Sequence, residues 1–309
     1  EKPSSSMSLA KSSALLSHPE WLMKRWINYF GWKKTVKLCR WNNKMPEILL
    51  RMNSYKTNHN ELENFMIKEN IFWEQNKFLR EFYFVKQTYK LRSSHQFKEG
   101  HFSFQDISSG LIAALIKPKR DDVVLDVCAA PGGKACAIAE KMKNKGIIHA
   151  YDINPDRVEL LQDNINRLGL NSISFGKKDA TFDNFPKASS ILVDAPCTGT
   201  GVMSKRADLR WRRGKSDIAE MVTIQNKILS HCVDFLENSG ELVYATCSLE
   251  PEENWGTIDQ FLEKHSNFSV INANTRISES FLDKRGALST FPPDHGTDGV
   301  FGVILKKNS

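Results

Sequence analysis

From residue 121 onward, short apolar runs alternate with longer stretches of helical period, and this alternation restricts the fold more than any other feature. Strands are expected at 123–127, 147–151, 173–175, 191–193, 242–244 and 300–305. Between the first five lie helical stretches at 134–143, 155–168 and 218–236. In the last, Ile218, Met221, Val222, Ile228, Leu229, Cys232, Val233 and Leu236 share roughly one face. Such alternation predicts a doubly wound, mostly parallel α/β sheet. Ligands of these sheets bind outside the carboxyl ends of the strands, so chemistry is expected just after each strand.

The front of the chain reads differently. Residues 1–120 hold 21 Lys/Arg against 10 Asp/Glu, and the remainder holds 22 against 26. A basic front joined to a mildly acidic rear points to a polyanion-binding part and a part with other work. Residues 1–16 are expected to form a flexible tail or linker. Ser17 reads as the N-cap of a helix, with Pro19 in its first turn and Glu20 closing a capping box. Trp21, Leu22, Trp26 and Phe30 then recur at helical spacing up to Gly31. A second helix is expected through 36–39, stopped by Pro46. A strand at 48–53, a helix at 61–68 and a strand at 82–85 complete a small α+β unit over 17–95, with the large sheet domain over 96–309.

Several classes are excluded. Apolar residues make up 40% and charged residues 26%, which fits a globular chain and not a disordered or fibrous one. No apolar run is long enough for a transmembrane helix. Residues 1–17 lack the apolar core of a secretory signal. Cysteines 39, 128, 136, 197, 232 and 247 include no CxxC pair, so no metal site is expected. A reducing, cytoplasmic setting and a monomer are expected.

The strand ends carry the informative residues. After the first strand comes Cys128-Ala129-Ala130-Pro131-Gly132-Gly133-Lys134, two glycines at a strand-to-helix turn where a ligand can approach the backbone. It is neither a P-loop nor GxGxxG. Asp126, Asp152, Asp179 and Asp194 lie at or near four successive strand ends. One such Asp is an ordinary cap; four in register suggest a ligand. Asp152 stands where doubly wound folds place an acid on ribose hydroxyls. Glycines and a ribose-binding acid without a phosphate motif fit a nucleoside ligand without phosphates, S-adenosylmethionine.

Cys197, in Asp194-Ala195-Pro196-Cys197, and Cys247, in Thr246-Cys247-Ser248, also follow strands, whereas Cys39, Cys136 and Cys232 read as small core residues. Thiols at these places have a chemical rationale. Carbon 5 of a pyrimidine is a poor nucleophile until a thiolate adds to carbon 6 and makes it enamine-like; a base then removes the carbon-5 proton and the thiol leaves. The attacking group must be a thiolate, so a lowered pKa is expected for it. Amine methylation needs no thiol and favours an aromatic loop after the fourth strand, which is absent here.

The segments 128–134, 194–201 and 246–248 resemble the three signature motifs of the RNA cytosine-C5 methyltransferases. The stretches 17–26, 42–53 and 296–307 are similar to the bacterial members that modify 16S ribosomal RNA. The resemblance runs from Ser17 to the end and implies a Rossmann-like S-adenosylmethionine methyltransferase sheet beside a small RNA-recognition subdomain. It implies that Cys128, Ala129, Ala130, Pro131, Gly132, Gly133 and Lys134 wrap the methionine and ribose of the cofactor. Asp152 would hold the ribose, Asp179 would lie by the adenine, and Asp194 near the methyl donor and target base. Cys247 would be the nucleophile, Cys197 would assist release of the product, and Lys134 would also contact the base. Ala135 stands where Thr is usual after the glycines. The helical domain that usually precedes the Ser17 stretch has no counterpart in the sequence.

The expected partner is RNA, foremost 16S ribosomal RNA, with transfer RNA as an alternative substrate and a non-catalytic ribosome-assembly factor as a reading of a different class. DNA cytosine methylation fits less well, because there the Pro-Cys loop carries the nucleophile. Lys205, Arg206, Arg210, Arg212, Arg213 and Lys215 cluster after the Cys197 loop around Trp211, and with the basic front they are expected to bind phosphates. The target cytosine must leave its stack to be reached.

Overall fold

The computed structural model describes residues 7–308. The front of the chain builds a four-stranded antiparallel sheet from β1 (Ile48–Met52), β2 (Trp73–Gln75), β3 (Phe82–Val85) and β4 (Phe102–Phe104), in the order β2-β3-β1-β4. Strand alternation sorts its residues. Leu50, Met52, Tyr83 and Val85 pack with Leu62 and Met66 of the helix His59–Lys68 and with Leu91. Arg51 and Phe82, paired across β1 and β3, face the other way. Phe82 lies against Gly110, where a Cβ would come within 2.4 Å of its ring, and Arg51 makes a buried ion pair with Glu140. These contacts dock the small sheet on the large domain. Its fourth strand comes from beyond residue 95.

The region before β1 departs from expectation. Of the expected tail, residues 1–6 lie outside the described residues, and Leu9–Leu16 is a helix whose first turn is capped by the Ser8 hydroxyl. Ser17 is not an N-cap. It ends this helix in the left-handed region at φ 55°, donating its N–H to the Ala14 carbonyl. The next helix, Glu20–Asn42, starts after Pro19 without a side-chain cap. The reason is tertiary. His18 is buried between the two helices, its Nδ1 donating to Leu16 O at 2.6 Å and its Nε2 meeting Asn42 at 3.2 Å, and this tight corner leaves Ser17 no room to cap. Gly31 breaks the long helix as a hinge at φ 76° and ψ 165°, with helix on both sides.

The large sheet has β5 (Val123–Asp126), β6 (Ile147–Asp152), β7 (Ile173–Lys177), β8 (Ala188–Asp194), β9 (Leu236–Thr246), β10 (Phe268–Ile271), β11 (Leu288–Ser289) and β12 (Phe301–Lys307). The order is β10-β12-β9-β8-β5-β6-β7, with β11 paired to β12. β5 to β9 pair in parallel, and β12 pairs antiparallel with β9, β10 and β11. The fold is therefore the expected doubly wound, mostly parallel sheet. The chain runs outward from β5 to β7, then returns to β8 on the other side, so the switch point lies between β5 and β8. Helices Gly133–Lys141 and Pro155–Leu168 pack on one face, and Lys215–Cys232 and Trp255–Lys264 on the other, over two apolar cores. Among the described residues no helix is long and apolar enough to cross a membrane.

Candidate active site at the strand ends

The four carboxylates fall where the strands end. Asp126, Asp152 and Asp194 are the last residues of β5, β6 and β8, and Asp179 follows β7 by two residues. Each has a distinct environment. Asp152 is buried and accepts the Ala130 N–H at 3.2 Å and the Asn154 N–H at 3.1 Å, with Arg157 at 3.4 Å. Asp179 accepts both the N–H and the hydroxyl of Thr181. Ile153 and Phe182, next to these two acids, are exposed apolar groups of the kind a flat ring covers.

Asp126 is fully buried, and its Oδ2 has no hydrogen-bond partner. Burial, reinforced by the charge of Asp194, pushes its carboxyl up to about 8. An orphan buried acceptor at the cofactor end of the sheet suits a ligand that brings a cationic amine. The helix Gly133–Lys141 also starts here, with its N-terminus toward the strand ends. The donor set therefore fits S-adenosylmethionine: Asp126 for the amine, Asp152 for the ribose, and Ile153 and Phe182 for the adenine face.

The glycine turn is tight for a second reason. Gly132 has φ 100°, and a Cβ there would meet Leu161 Cδ1 at 2.5 Å. A Cβ on Gly133 would meet Gln105 Nε2 at 3.0 Å. Both glycines therefore serve close packing of the turn as well as ligand approach. Cys128, within it, is a half-buried thiol pushed well above its ordinary value by desolvation and by Asp126.

The two sequence-singled cysteines come together. Cys197 Sγ lies 3.1 Å from Cys247 Sγ and accepts the Cys247 N–H at 3.3 Å. Beside them Lys134 Nζ donates to Asp194 Oδ2 at 2.5 Å. Burial opposes the Lys134 ammonium, but the charge and hydrogen bond of Asp194 outweigh it, so Lys134 stays charged. The Cys197 thiol is pushed well above its ordinary value, first by its hydrogen bond to Cys247 and then by burial. A lowered pKa, expected of an attacking thiolate, is thus not a property of Cys197. It is held as a protonated neighbour of Cys247. Cys39, Cys136 and Cys232 are buried thiols pushed up to about 12, as expected of core residues.

The residues that hold the cysteine loops in place were not anticipated. Glu253 is fully buried and accepts from the Thr198 N–H at 2.9 Å, the Thr198 hydroxyl, the Ser248 hydroxyl at 2.6 Å and Gln225 Nε2 at 3.0 Å. One carboxylate thus ties the residue after Cys197 to the residue after Cys247. The only sequence signal was an acid six positions after Cys247. Arg25 and Trp26 of the N-terminal helix add a brace, donating to Glu250 and Glu252 in the same loop.

The profile of the family described as 16S rRNA methyltransferase RsmB/F matches residues 113–306, and that of the RsmF/B-like ferredoxin-like domain matches residues 18–90. The chain belongs to the 16S rRNA methyltransferase RsmB/F family. It is 36% identical over 299 residues to a probable ribosomal RNA small subunit methyltransferase B of Bacillus subtilis (strain 168), covering 94% of this chain and 66% of that protein. A probable ribosomal RNA small subunit methyltransferase B of Synechocystis sp. is 32% identical, with 94% and 67% covered. The chain thus spans about two thirds of the length of these curated relatives. Among solved structures, the crystal structure of PH0851 superposes with a TM-score of 0.91 at 30% identity, covering 99% of this chain and 70% of that one. A methyltransferase homologue from Pyrococcus horikoshii superposes at 0.84 with 25% identity, covering 98% and 99%.

The basic cluster of this family member corrects the expectation. Lys205 is exposed, with its ammonium held between Asp106 and Asp298. Arg210 is buried, donating to Asn43 Oδ1 at 2.6 Å, Ser17 O at 3.3 Å and the Asn42 carbonyl. Arg210 turns inward because the corner at Ser17 and the end of the helix Glu20–Asn42 bring acceptors to it, while the 296–298 turn brings Asp298 to Lys205. Arg213 is half-buried on Thr198 O and Asp217. Of the six basic residues Lys205, Arg206, Arg212 and Lys215 are exposed; Arg206 and Arg212 each stand beside Asp208, with exposed Trp211 between them in sequence.

Proposed function

We propose that the protein transfers a methyl group from S-adenosylmethionine to carbon 5 of a cytosine in RNA, foremost 16S ribosomal RNA. The observation that carries this reading is the pair Cys197–Cys247, 3.1 Å apart, beside the Lys134–Asp194 ion pair at the carboxyl ends of β8 and β9. Cys247 adds to carbon 6 of the flipped base, giving a covalent Cys247–C6 adduct and an enamine-like carbon 5. The cofactor, when bound, supplies the electrophilic methyl group that carbon 5 takes up. A base then takes the carbon-5 proton; the electron pair of that C–H bond re-forms the C5–C6 double bond as the Cys247–C6 bond breaks, and Cys247 leaves as a thiolate. Cys197, kept protonated beside Cys247, exchanges a proton with the departing thiolate. Lys134, kept charged by Asp194, is placed to contact the polar edge of the base. Family membership supports ribosomal RNA as the substrate class.

The test is transfer of labelled methyl from S-adenosylmethionine to 16S ribosomal RNA and to transfer RNA in parallel, using the chain as given. Label mapped to 5-methylcytosine in the ribosomal RNA is expected. Label on transfer RNA alone moves the substrate. Label on an exocyclic amine, or on neither RNA, overturns the proposal. The two cysteines are expected to separate: Cys247→Ala abolishes transfer, whereas Cys197→Ala accumulates an RNA–protein adduct visible as a shifted band on a denaturing gel. Adduct in Cys247→Ala at the level of Cys197→Ala would reverse the assignment.

A further inference from the structure

A separate cavity of about 120 Å³ lies between the front unit, the loop that follows Cys197 and the turn before β12. A closed cavity of roughly 150 Å³ encloses one benzene ring, so this smaller pocket, which opens to solvent, seats one ring by its face and edge without enclosing it. Trp41 and Leu49 supply apolar walls, and Asp106, Lys205 and Asp298 supply a polar end. The cavity adjoins the proposed methyl-transfer site on two sides. Gln105, the neighbour of Asp106, packs against Gly133, the neighbour of Lys134. Gly299, the neighbour of Asp298, donates to Gly201 O at 2.9 Å, and Gly201 donates to Cys247 O at 3.0 Å.

The lining selects among ligands. Lys205 is already held by both carboxylates, at 2.7 Å from Asp298, so it offers no free charge to a phosphate. The carboxylate oxygens repel phosphate and accept from an N–H edge, as acids do from the cytosine amine. Burial and Asp106 push Asp298 up to about 6, so a donor at this end also competes with a proton below that pH. At the cavity's rim Lys44 stands 5.7 Å over the Trp41 ring, with no carboxylate partner among the described residues. A planar ring with an amino edge, carried on a phosphate backbone that passes Lys44, meets all of these features.

We propose that this cavity takes an unpaired nucleobase adjoining the target cytosine in the RNA strand, stacked on Trp41 with an amino-bearing edge toward Asp298. The proposal rests on the reading of RNA as substrate and adds a second, base-reading subsite to it.

The experiment measures binding of fluorescein-labelled single-stranded RNA nonamers by anisotropy at fixed salt. The strands are nine cytidines, nine uridines and nine abasic ribonucleotides. Trp41→Ala is expected to weaken the cytidine strand roughly tenfold, in the range that loss of one stacked base produces, and the uridine strand less. The abasic strand should be unaffected. Trp41→Phe keeps a ring and should stay within about threefold of the unaltered chain on cytidine. Trp41→Leu fills space without stacking and should behave as Trp41→Ala, which covers the case in which the alanine variant fails to fold. If the variants weaken cytidine and abasic strands alike, or neither, the cavity proposal is overturned while RNA binding stands. If the unaltered chain binds none of the strands, the RNA reading itself fails, and this proposal with it.

Discussion

Glu253 is the side chain on which the geometry of the cysteine pair depends. Its two oxygens accept four hydrogen bonds from three elements of the chain, in a place from which water is excluded. Its charge also contributes to holding the Cys197 thiol above its ordinary value, after the Cys247 hydrogen bond and burial. Glu253→Gln keeps the volume but brings an amide N–H against the donors of Thr198, Ser248 or Gln225. The cysteine loops lose their common tie, and methyl transfer is expected to fall on the order of a hundredfold, the cost of misplacing reacting groups by about 1 Å. A merely structural role would leave thiol titration unchanged. Removing the negative charge lowers the Cys197 pKa, so alkylation of Cys197 by iodoacetamide at pH 8, read by peptide mass, should speed up. An unchanged alkylation rate with lost activity would contradict this account of Glu253 as a positioning residue.

Among the elements, β5 to β8 and β12 were legible because each is a short apolar run bounded by polar residues, β9 only over 242–244 because 236–241 reads as a helix end and a polar loop, and the strand ends, with Asp126, Asp152, Asp194, Cys197 and Cys247, followed from the rule for parallel sheets. What stayed hidden depends on partners distant in sequence. The Arg210 guanidinium reads as one more charge in an exposed run, yet its acceptors are Ser17 O, Asn42 O and Asn43 Oδ1, more than 160 positions away. Ser17 has the local signature of a cap, but His18, buried against Leu16 and Asn42, sets the corner instead. The corner and the loop are one device, and its energetics can be tested. Arg210→Ala leaves the buried Asn42 carbonyl, and the part-buried Ser17 O and Asn43 Oδ1, without this donor and is expected to cost roughly 1–3 kcal/mol of stability. Arg212→Ala, on an exposed side chain, should leave the melting temperature unchanged and reduce the salt dependence of RNA binding by about one ion. If instead Arg210→Ala weakens RNA binding at unchanged melting temperature, the inward assignment is wrong. Burial holds His18 down at about 4, below its unfolded value of 6.5. The stability it contributes is present above pH 6.5 and is lost as pH falls toward 4, so acid should open this corner first.

For the whole molecule, the arrangement places an uncompensated acid at the centre of the sheet. Asp126 sits at the end of β5, at the switch point, where the folded chain holds its carboxyl up to about 8 against 3.8 in the unfolded chain. The sign follows from proton binding. The folded state keeps the Asp126 proton through neutrality and the unfolded state gives it up near pH 4, so stability drains away as pH rises from about 4 to about 8. The full effect is on the order of 5 kcal/mol. Asp126→Asn cannot ionise. It should match the unaltered chain near pH 4 and become progressively more stable than it toward pH 8, in thermal melts without ligand. Such a cost, placed beside the Lys134–Asp194 pair and the start of the Gly133–Lys141 helix, is what a site incurs when its charge is meant for a ligand. A cationic amine bound at Asp126 supplies the missing partner, so saturating S-adenosylmethionine should raise the melting temperature of the unaltered chain at pH 8 more than that of Asp126→Asn. Equal shifts in the two chains would remove Asp126 from the proposed cofactor site and leave its burial a purely structural expense; a larger shift in the unaltered chain ties the Asp126 carboxyl to the bound cofactor.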